Sequence, residues 1–310
     1  MANIWIKNLA RVYLPIYQYE SDTRKIIYAG YSSIKKNYYV RLLLDRNNHS
    51  TFLGRRWYWE IPRLIKSHNP DLVISEISRM TLKHFQKCTG YILPEWVIMR
   101  INIDRPMNEI CKGSVSDFSN VKRLIRKYNL TYEILTNKES FNYFNENIYL
   151  PYIIKRHGEE GLIEDLKRLW KSSPSPFLMA IKENGIFVAG ALVRKSGDLI
   201  FLMRLGLLDG NQIYMRHGAI GALYYFCILE GKKMGCRNLD VGGTRPFLTD
   251  GLTKYKMGLG AEFLSDHSAW REYLWLGLND SSAYAKEFIS SNPFIYLNRE
   301  LRLVKYPTLP

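Results

Sequence analysis

The segment that most constrains this chain runs Gly235-Cys-Arg-Asn-Leu-Asp-Val-Gly-Gly-Thr244 and is followed by Leu252-Thr-Lys-Tyr-Lys-Met-Gly-Leu-Gly-Ala-Glu-Phe263. Its order predicts a helix stop, a short buried strand, a glycine loop, then a lysine-bearing turn and another strand. A parallel strand that ends in Asp240 and Gly242-Gly243 offers backbone amides and one carboxylate at the carboxyl edge of a sheet. Open α/β sheets bind their ligands at that edge. The segment is therefore a candidate site before it is a fold.

The residues before it supply the surrounding architecture. Phe177 to Lys182, Ile186 to Arg194 and Leu199 to Leu207 are strand-like runs, separated by Glu183-Asn-Gly185 and Lys195-Ser-Gly-Asp198. Both separators are hairpin signals that put glycine where a positive φ is needed, so the three runs predict an antiparallel meander. A helix from about Gln212 to Met234 follows, with Ile220, Leu223, Tyr224, Cys227 and Ile228 on one face and Lys232, Lys233 and Gly235 closing it. Through that crossover the strand Asn238 to Val241 should run parallel to a neighbour.

Toward the amino terminus the pattern is an alternation. Tyr38 to Leu44 and Trp96 to Ile103 look like strands, and Ile61 to Ser67 and Ser75 to Cys88 like short helices. A basic amphipathic helix is marked by Val121, Leu124, Ile125 and Tyr128 on one face and Lys122, Arg123, Arg126 and Lys127 on the other. Strand Thr131 to Leu135 and a helical region from Glu139 to Trp170, broken near His157-Gly158, lead into the meander. The chain leaves its first pattern near Asp104-Arg-Pro-Met, which sets an expected boundary of 1–110 against 111–310.

With 310 residues, 46% of them hydrophobic, the chain can fill one large core or two small ones. The net charge of +15 favours anionic partners: nucleic acid, an anionic lipid surface, an acidic carrier protein or a phosphorylated cofactor. Cys88, Cys111, Cys227 and Cys236 show no metal or redox spacing, and no His/Glu cluster suggests a metal. No signal-peptide-like or membrane-spanning apolar run is present, so a cytoplasmic protein is expected. Arg11 to Tyr19 mixes aromatics with a basic start, which fits strand core better than peripheral membrane contact but leaves that contact open.

Three antiparallel strands, a helix, a strand, a loop and a further strand is the order of the GNAT acyltransferase core. The chain resembles the Fem-like branch of that superfamily, which contains aminoacyl-tRNA-dependent peptidyltransferases and cellulose-biosynthesis-type acetyltransferases. The resemblance is carried by Asn120 to Lys127, Lys233-Met-Gly-Cys236, Leu239-Asp-Val-Gly-Gly243 and Tyr255-Lys-Met-Gly-Leu-Gly-Ala-Glu262. It covers about 114 to 265 best. It implies an α/β (α+β) fold of two GNAT-like halves, each a mixed, largely antiparallel sheet flanked by helices, with residues 1–110 as a degenerate first half. It also implies an N-acyltransferase or aminoacyltransferase that serves cell-wall or exopolysaccharide biosynthesis.

Acyl transfer to an amine needs a neutral nucleophile, a stabilised oxyanion and an acid for the leaving group. The resemblance puts Lys256 at the reacting ester, where a fixed ammonium stabilises the oxyanion. Tyr255 would shape the pocket or lend its hydroxyl. Asp240 would orient the amine or take its proton, or else cap the turn that follows it, and Gly242, Gly243 and Thr244 complete that edge. On an extended chain Lys254 would point the same way as Lys256. Arg204, a strand arginine among apolar neighbours, needs an anionic partner, and Asp240 is a candidate. Arg216, His217 and Gly218 approach the pattern with which a helix start holds the pyrophosphate of acyl-CoA, but Ala219 departs from it.

Two classes of function follow. One is a transferase with aminoacyl-tRNA, a CoA thioester or an acyl carrier protein as anionic donor, and an amine acceptor lying between the halves. The other is a non-catalytic GNAT-like module that binds nucleic acid or another anionic partner. Only the first gives Lys256 and Asp240 a shared purpose.

Overall fold

The computed structural model describes residues 11–44, 47–110, 118–158, 166–172, 175–264 and 272–306. It divides into two compact units, one of Met1–Val97, Arg245–Thr253 and Leu264–Pro310, the other of Ile98–Thr244 and Lys254–Phe263. The expected division at residue 110 differs from this one, because the chain returns to the first unit after Thr244 and again after Phe263. Cys111 lies outside the described residues.

The first unit begins with strands β1 (Tyr13–Glu20) and β2 (Lys25–Ala29), helix α1 (Ser33–Leu43), and strands β3 (His49–Trp57), β4 (Leu72–Ile77) and β5 (Tyr91–Pro94). The second unit holds most of β6 (Val97–Asn102), then α2 (Phe118–Lys127), β7 (Leu130–Leu135), α3 (Leu150–His157), β8 (Phe177–Glu183), β9 (Ile186–Ser196) and β10 (Leu199–Leu207). It continues with α4 (Gln212–Arg216), α5 (Ala219–Lys233), β11 (Asn238–Thr244), most of α6 (Gly251–Gly258) and β12 (Glu262–Phe263). Strand β13 (Tyr273–Leu278), helix α7 (Ala283–Ser291) and strands β14 (Phe294–Leu297) and β15 (Leu303–Tyr306) belong again to the first unit.

The result is an α+β chain with two mixed, largely antiparallel sheets flanked by helices, as expected. The first sheet has the order β15-β14-β5-β13-β4-β2-β1-β3, with β2 and β4 parallel. The second has the order β12-β6-β11-β10-β9-β8-β7. In it the meander β8-β9-β10 forms as predicted, with Asn184 and Gly185 both at positive φ in the first turn. Strand β11 lies parallel to β10 across the α5 crossover. Helix α5 is buried almost all round, from Ala219 and Ile220 through Cys227 and Ile228 to Gly231, so it fills the core of this unit and does more than cover one face.

Four local expectations need correction. Tyr38 to Leu44 is mostly helix, because the Ser32 hydroxyl accepts from the Lys35 N–H as an N-cap and Lys35, Tyr39 and Leu43 bury a single face at four-residue spacing. Ser75 to Ile77 finishes the wholly buried strand β4, and only Leu82–Phe85 of the predicted helix is helical. The predicted helix from Gln212 to Met234 is interrupted at Gly218, whose φ of +90° no helix interior holds. The lysine-bearing turn is helix α6, started by Asp250, whose Oδ1 accepts from the N–H groups of Leu252 and Thr253 at 3.0 Å. The helical ladder that follows Asp250 outweighs the turn signal of the nearby glycines.

Within the first unit, charge is buried in a connected cluster. Glu76 accepts from the Tyr28 hydroxyl at 2.6 Å and from the Ser32 N–H at 2.7 Å, with Arg11 Nε 3.6 Å away. Arg11 also reaches Glu272 at 2.8 Å, and Lys35 Nζ bridges Glu272 at 2.7 Å and Glu95 at 3.0 Å. Burial and a hydrogen bond to Glu272 push the Glu95 carboxyl up to about 7. Burial opposes ionisation of Glu272 as well, yet the Glu95 hydrogen bond and the Lys35 and Arg11 cations hold its carboxyl well below the usual range. The two carboxyls are coupled and share the first proton they take up, with the protonated form favoured at Glu95.

Candidate functional site

Strands β10 and β11 pair only at Leu199 with Asn238, Ile200 with Leu239 and Phe201 with Asp240. Both strands continue beyond, β10 to Leu207 and β11 to Thr244, without pairing to each other. A β-bulge at Met203, between the Leu202 and Arg204 registers, bends β10 where the two part. The result is a wedge whose β11 wall is Asp240-Val-Gly-Gly-Thr244.

Asp240 is 7% exposed and uses both of its oxygens. Oδ1 accepts from the Gly242 N–H at 2.9 Å, and Oδ2 accepts from Arg100 Nε at 3.2 Å. The first contact is turn chemistry: it holds Gly242 at a φ of +74°, a conformation available to glycine without strain. The second was not anticipated. Arg100 comes from β6, which sits beside β11 in the sheet. The signal for it was present in Val97-Ile-Met-Arg-Ile-Asn102, where a strand arginine interrupts apolar alternation just as Arg204 does.

Lys256 is 4% exposed, and its Nζ donates to the Gly243 carbonyl at 3.1 Å. Helix α6 makes this possible, since successive residues on a helix turn by about 100°. Lys256 points into the wedge wall, while Lys254 and part of Tyr255 face solvent. The idea that Lys254 and Lys256 share a direction fails, because it assumed an extended chain. The Tyr255 hydroxyl reaches the first turn of α5, 3.7 Å from where a Cβ on Gly221 would stand, and its ring meets Tyr224 edge-on at 5.8 Å. Burial raises the Tyr255 phenol above its ordinary range, so it keeps its proton at neutral pH. Tyr152, which accepts a hydrogen bond from Arg156, adds to that effect.

The other expected residues fall into place with different degrees of agreement. Thr244 is fully buried, its hydroxyl 3.6 Å from Met99 Sδ, and it serves the core. Arg204 donates to the Met203 carbonyl at 2.5 Å and stands three residues beyond Phe201, the β10 residue that pairs with Asp240. Arg216, His217 and Gly218 sit together at the junction of α4 and α5. His217 Nδ1 meets Glu183 at 2.9 Å, and its ring stacks on Tyr128 with centroids 3.9 Å apart. A Cβ on Gly218 would lie 2.8 Å from the Leu124 side chain, and Ala219 has no exposed surface. Helix α2 therefore lies over the start of α5.

That cover decides how acyl-CoA fits. A helix start holds a pyrophosphate by exposed first-turn amides. Here Ala219, Ile220 and Gly221 are buried, with Leu124 against Gly218 and Val121 against Gly221, so the residues present do not fit the group. Among the described residues no cluster suited to a metal ion occurs, and no helix is long and apolar enough to cross a membrane.

No family model matches the chain, and no curated protein matches it. Among solved structures, FemX is similar at 13% identity, with a TM-score of 0.44 over 83% of this chain and 81% of that one. L-PGS from Bacillus licheniformis is similar at 12% identity, with a TM-score of 0.43 over 89% of this chain and 85% of that one. A GCN5-related N-acetyltransferase from Sphaerobacter thermophilus is similar at 11% identity, with a TM-score of 0.39 over 82% and 73%. At such values the chemistry has to be argued from this chain's own residues.

Proposed function

We propose that this protein is an acyltransferase that moves an acyl or aminoacyl group from an activated donor to an amine. The observation that carries the reading is the buried Lys256 ammonium, held on the Gly243 carbonyl in the wall of the wedge between β10 and β11. A donor seated in the wedge lies against these unpaired strand edges. Its reacting carbonyl then lies beside a cation that is already in place, so oxyanion stabilisation costs no reorganisation.

In this reading the acceptor nitrogen attacks the donor carbonyl carbon, and the carbon–oxygen or carbon–sulfur bond to the carrier breaks. Lys256 stabilises the oxyanion between those two events. The nitrogen gives up its proton to solvent and the leaving atom gains one. Tyr255 is suited to donate that proton, being held protonated by burial. Asp240, with both oxygens engaged, fixes Gly242 and Gly243 and is assigned a positioning role. The covered start of α5 favours aminoacyl-tRNA or an acyl carrier protein over a CoA thioester as donor.

The test is donor turnover by the purified protein, supplied in turn with aminoacyl-tRNA, acyl-CoA and acyl carrier protein and a panel of amines. The expected result is transfer from a macromolecular donor and a loss of about 10²- to 10³-fold in Lys256→Ala, with folding retained. Full activity in that variant would sink the role of Lys256. Binding without turnover of any donor would replace the transferase with a non-catalytic module.

A further inference from the structure

The outermost strand of the first sheet, β3, carries an unusual surface. It ends the sheet beyond β1, and its residues are mostly exposed. Phe52 is 57% exposed and Trp57 43%, while Trp59, just past the strand, is 44% exposed. Tyr13 on β1 and Tyr31 join them as exposed aromatics. Large apolar side chains gathered in this way on a surface mark a contact. The charge around them is basic: Arg55 lies over the Tyr31 ring at 5.7 Å and Lys36 over the Tyr17 ring at 4.3 Å, with Arg56 beside Trp57. Of the acids beside it, Glu60 accepts from the Trp57 N–H at 2.9 Å and Glu20, opposite His49, pairs with Lys25 at 3.0 Å.

We infer that this edge docks the protein on an anionic lipid bilayer surface. Indole and phenol rings beside cations are what the headgroup region retains, and arginine adds attraction to acidic lipid. Single-stranded nucleic acid also binds basic aromatic surfaces, but it needs open ring faces on which bases stack. Here Trp57 and Trp59 each spend one ring face on the other. Trp57 is stacked on Trp59 at 4.9 Å and 6°, with Tyr13 at 5.0 Å, and Phe52 meets Tyr17 at 5.4 Å. A second copy pairing along β3 is disfavoured by Gly54 at a φ of +87°, which sits in a bulge opposite β1, and by the adjacent arginines.

The inference does not depend on the transferase reading and is tested without turnover. The full chain is sedimented with phosphatidylglycerol-containing or pure phosphatidylcholine vesicles at low and high salt, and its oligomeric state is measured in parallel. Expected is binding to the acidic vesicles that weakens with salt, falls about 30-fold in Arg55→Ala/Arg56→Ala, and falls at least about ten-fold in Trp57→Ser/Trp59→Ser. Thermal melting of the arginine variant should match the parent, and binding of the tryptophan variant, which loses the Trp57–Trp59 stack, is compared below its own melting transition. No binding to acidic vesicles, or undiminished binding by both variants, overturns the assignment. So does an oligomer that dissociates on either double substitution, or tight salt-sensitive binding of a single-stranded oligonucleotide that displaces the vesicles.

Discussion

Replacing Glu95 by Gln should change how the stability of the first unit depends on pH. The Glu95 carboxyl rises from an ordinary 4.5 to about 7 in the folded chain. Between those values the folded state holds a proton that the unfolded state has lost. Stability from this group is thus complete below about pH 4.5 and disappears as pH climbs through 7. A rise of that size corresponds to about 3 kcal/mol at 1.36 kcal/mol per unit. The side chain is only 14% exposed, so solvent screening removes little of it. Glu272 acts in the opposite sense: its lowered carboxyl stabilises above the ordinary range and is lost in acid. The pair therefore gives the first unit its greatest stability near pH 5, with a fall on either side.

Urea unfolding followed by tryptophan fluorescence measures this directly. Among the described residues all tryptophans except Trp170 belong to the first unit, and Trp275 is fully buried in it. The parent should lose about 3 kcal/mol between pH 5 and pH 8. Glu95→Gln, which keeps a neutral hydrogen-bonding group beside Glu272, should lose much less over the same interval. The comparison is made as a difference, so histidines titrating in both proteins cancel. Equal slopes in the two proteins would refute the shared proton.

Three further outcomes are expected. Gly218→Ala should cost about 1–3 kcal/mol, from a positive φ and a clash with Leu124, and should cost less in a Leu124→Ala background, as a double-mutant unfolding cycle would show. Arg100→Met should destabilise the second unit by about 1–2 kcal/mol, a buried-pair loss reduced because Arg100 is 33% exposed, and should lower turnover by misplacing Gly242 and Gly243. Tyr255→Phe should cut transfer by about 10²-fold with unchanged melting, and undiminished transfer would remove the phenol as the acid.

Much of the second unit was legible because its signals are local. Asn184-Gly185 fixes a hairpin turn, alternating apolar residues fix the meander, and Gly235 ends α5. The errors arise where a distant partner decides. Tyr38 to Leu44 has the composition of a strand, and only Ser32 and the apolar face it meets make it a helix. Lys256 was found by motif but in the wrong conformation, since the N-cap at Asp250 lies outside the motif that named it. Arg100 is 140 residues from Asp240. No spacing rule joins them, because the sheet order that sets β6 beside β11 is a tertiary fact. His217 illustrates the opposite case: its position at a helix start was legible, but its engagement with Glu183 and Tyr128 was not.

The covered start of α5 bears on where donor affinity comes from. If no pyrophosphate is held there, the remote part of the donor must be gripped by other surface, and the strongest available term is the net charge of +15. That makes salt the discriminating variable. A nucleic-acid donor neutralised at six or more phosphates loses about 10³-fold in affinity between 50 and 200 mM salt. A carrier protein, which presents scattered carboxylates and no polyanionic backbone, responds far less. The ratio of turnover to KM should therefore fall steeply with salt for aminoacyl-tRNA while kcat stays level, because Lys256 and its Gly243 contact are buried and little screened. A fall in kcat of the same size would instead mean that the catalytic cation is solvent-exposed in the working protein, and the argument from its burial would fail.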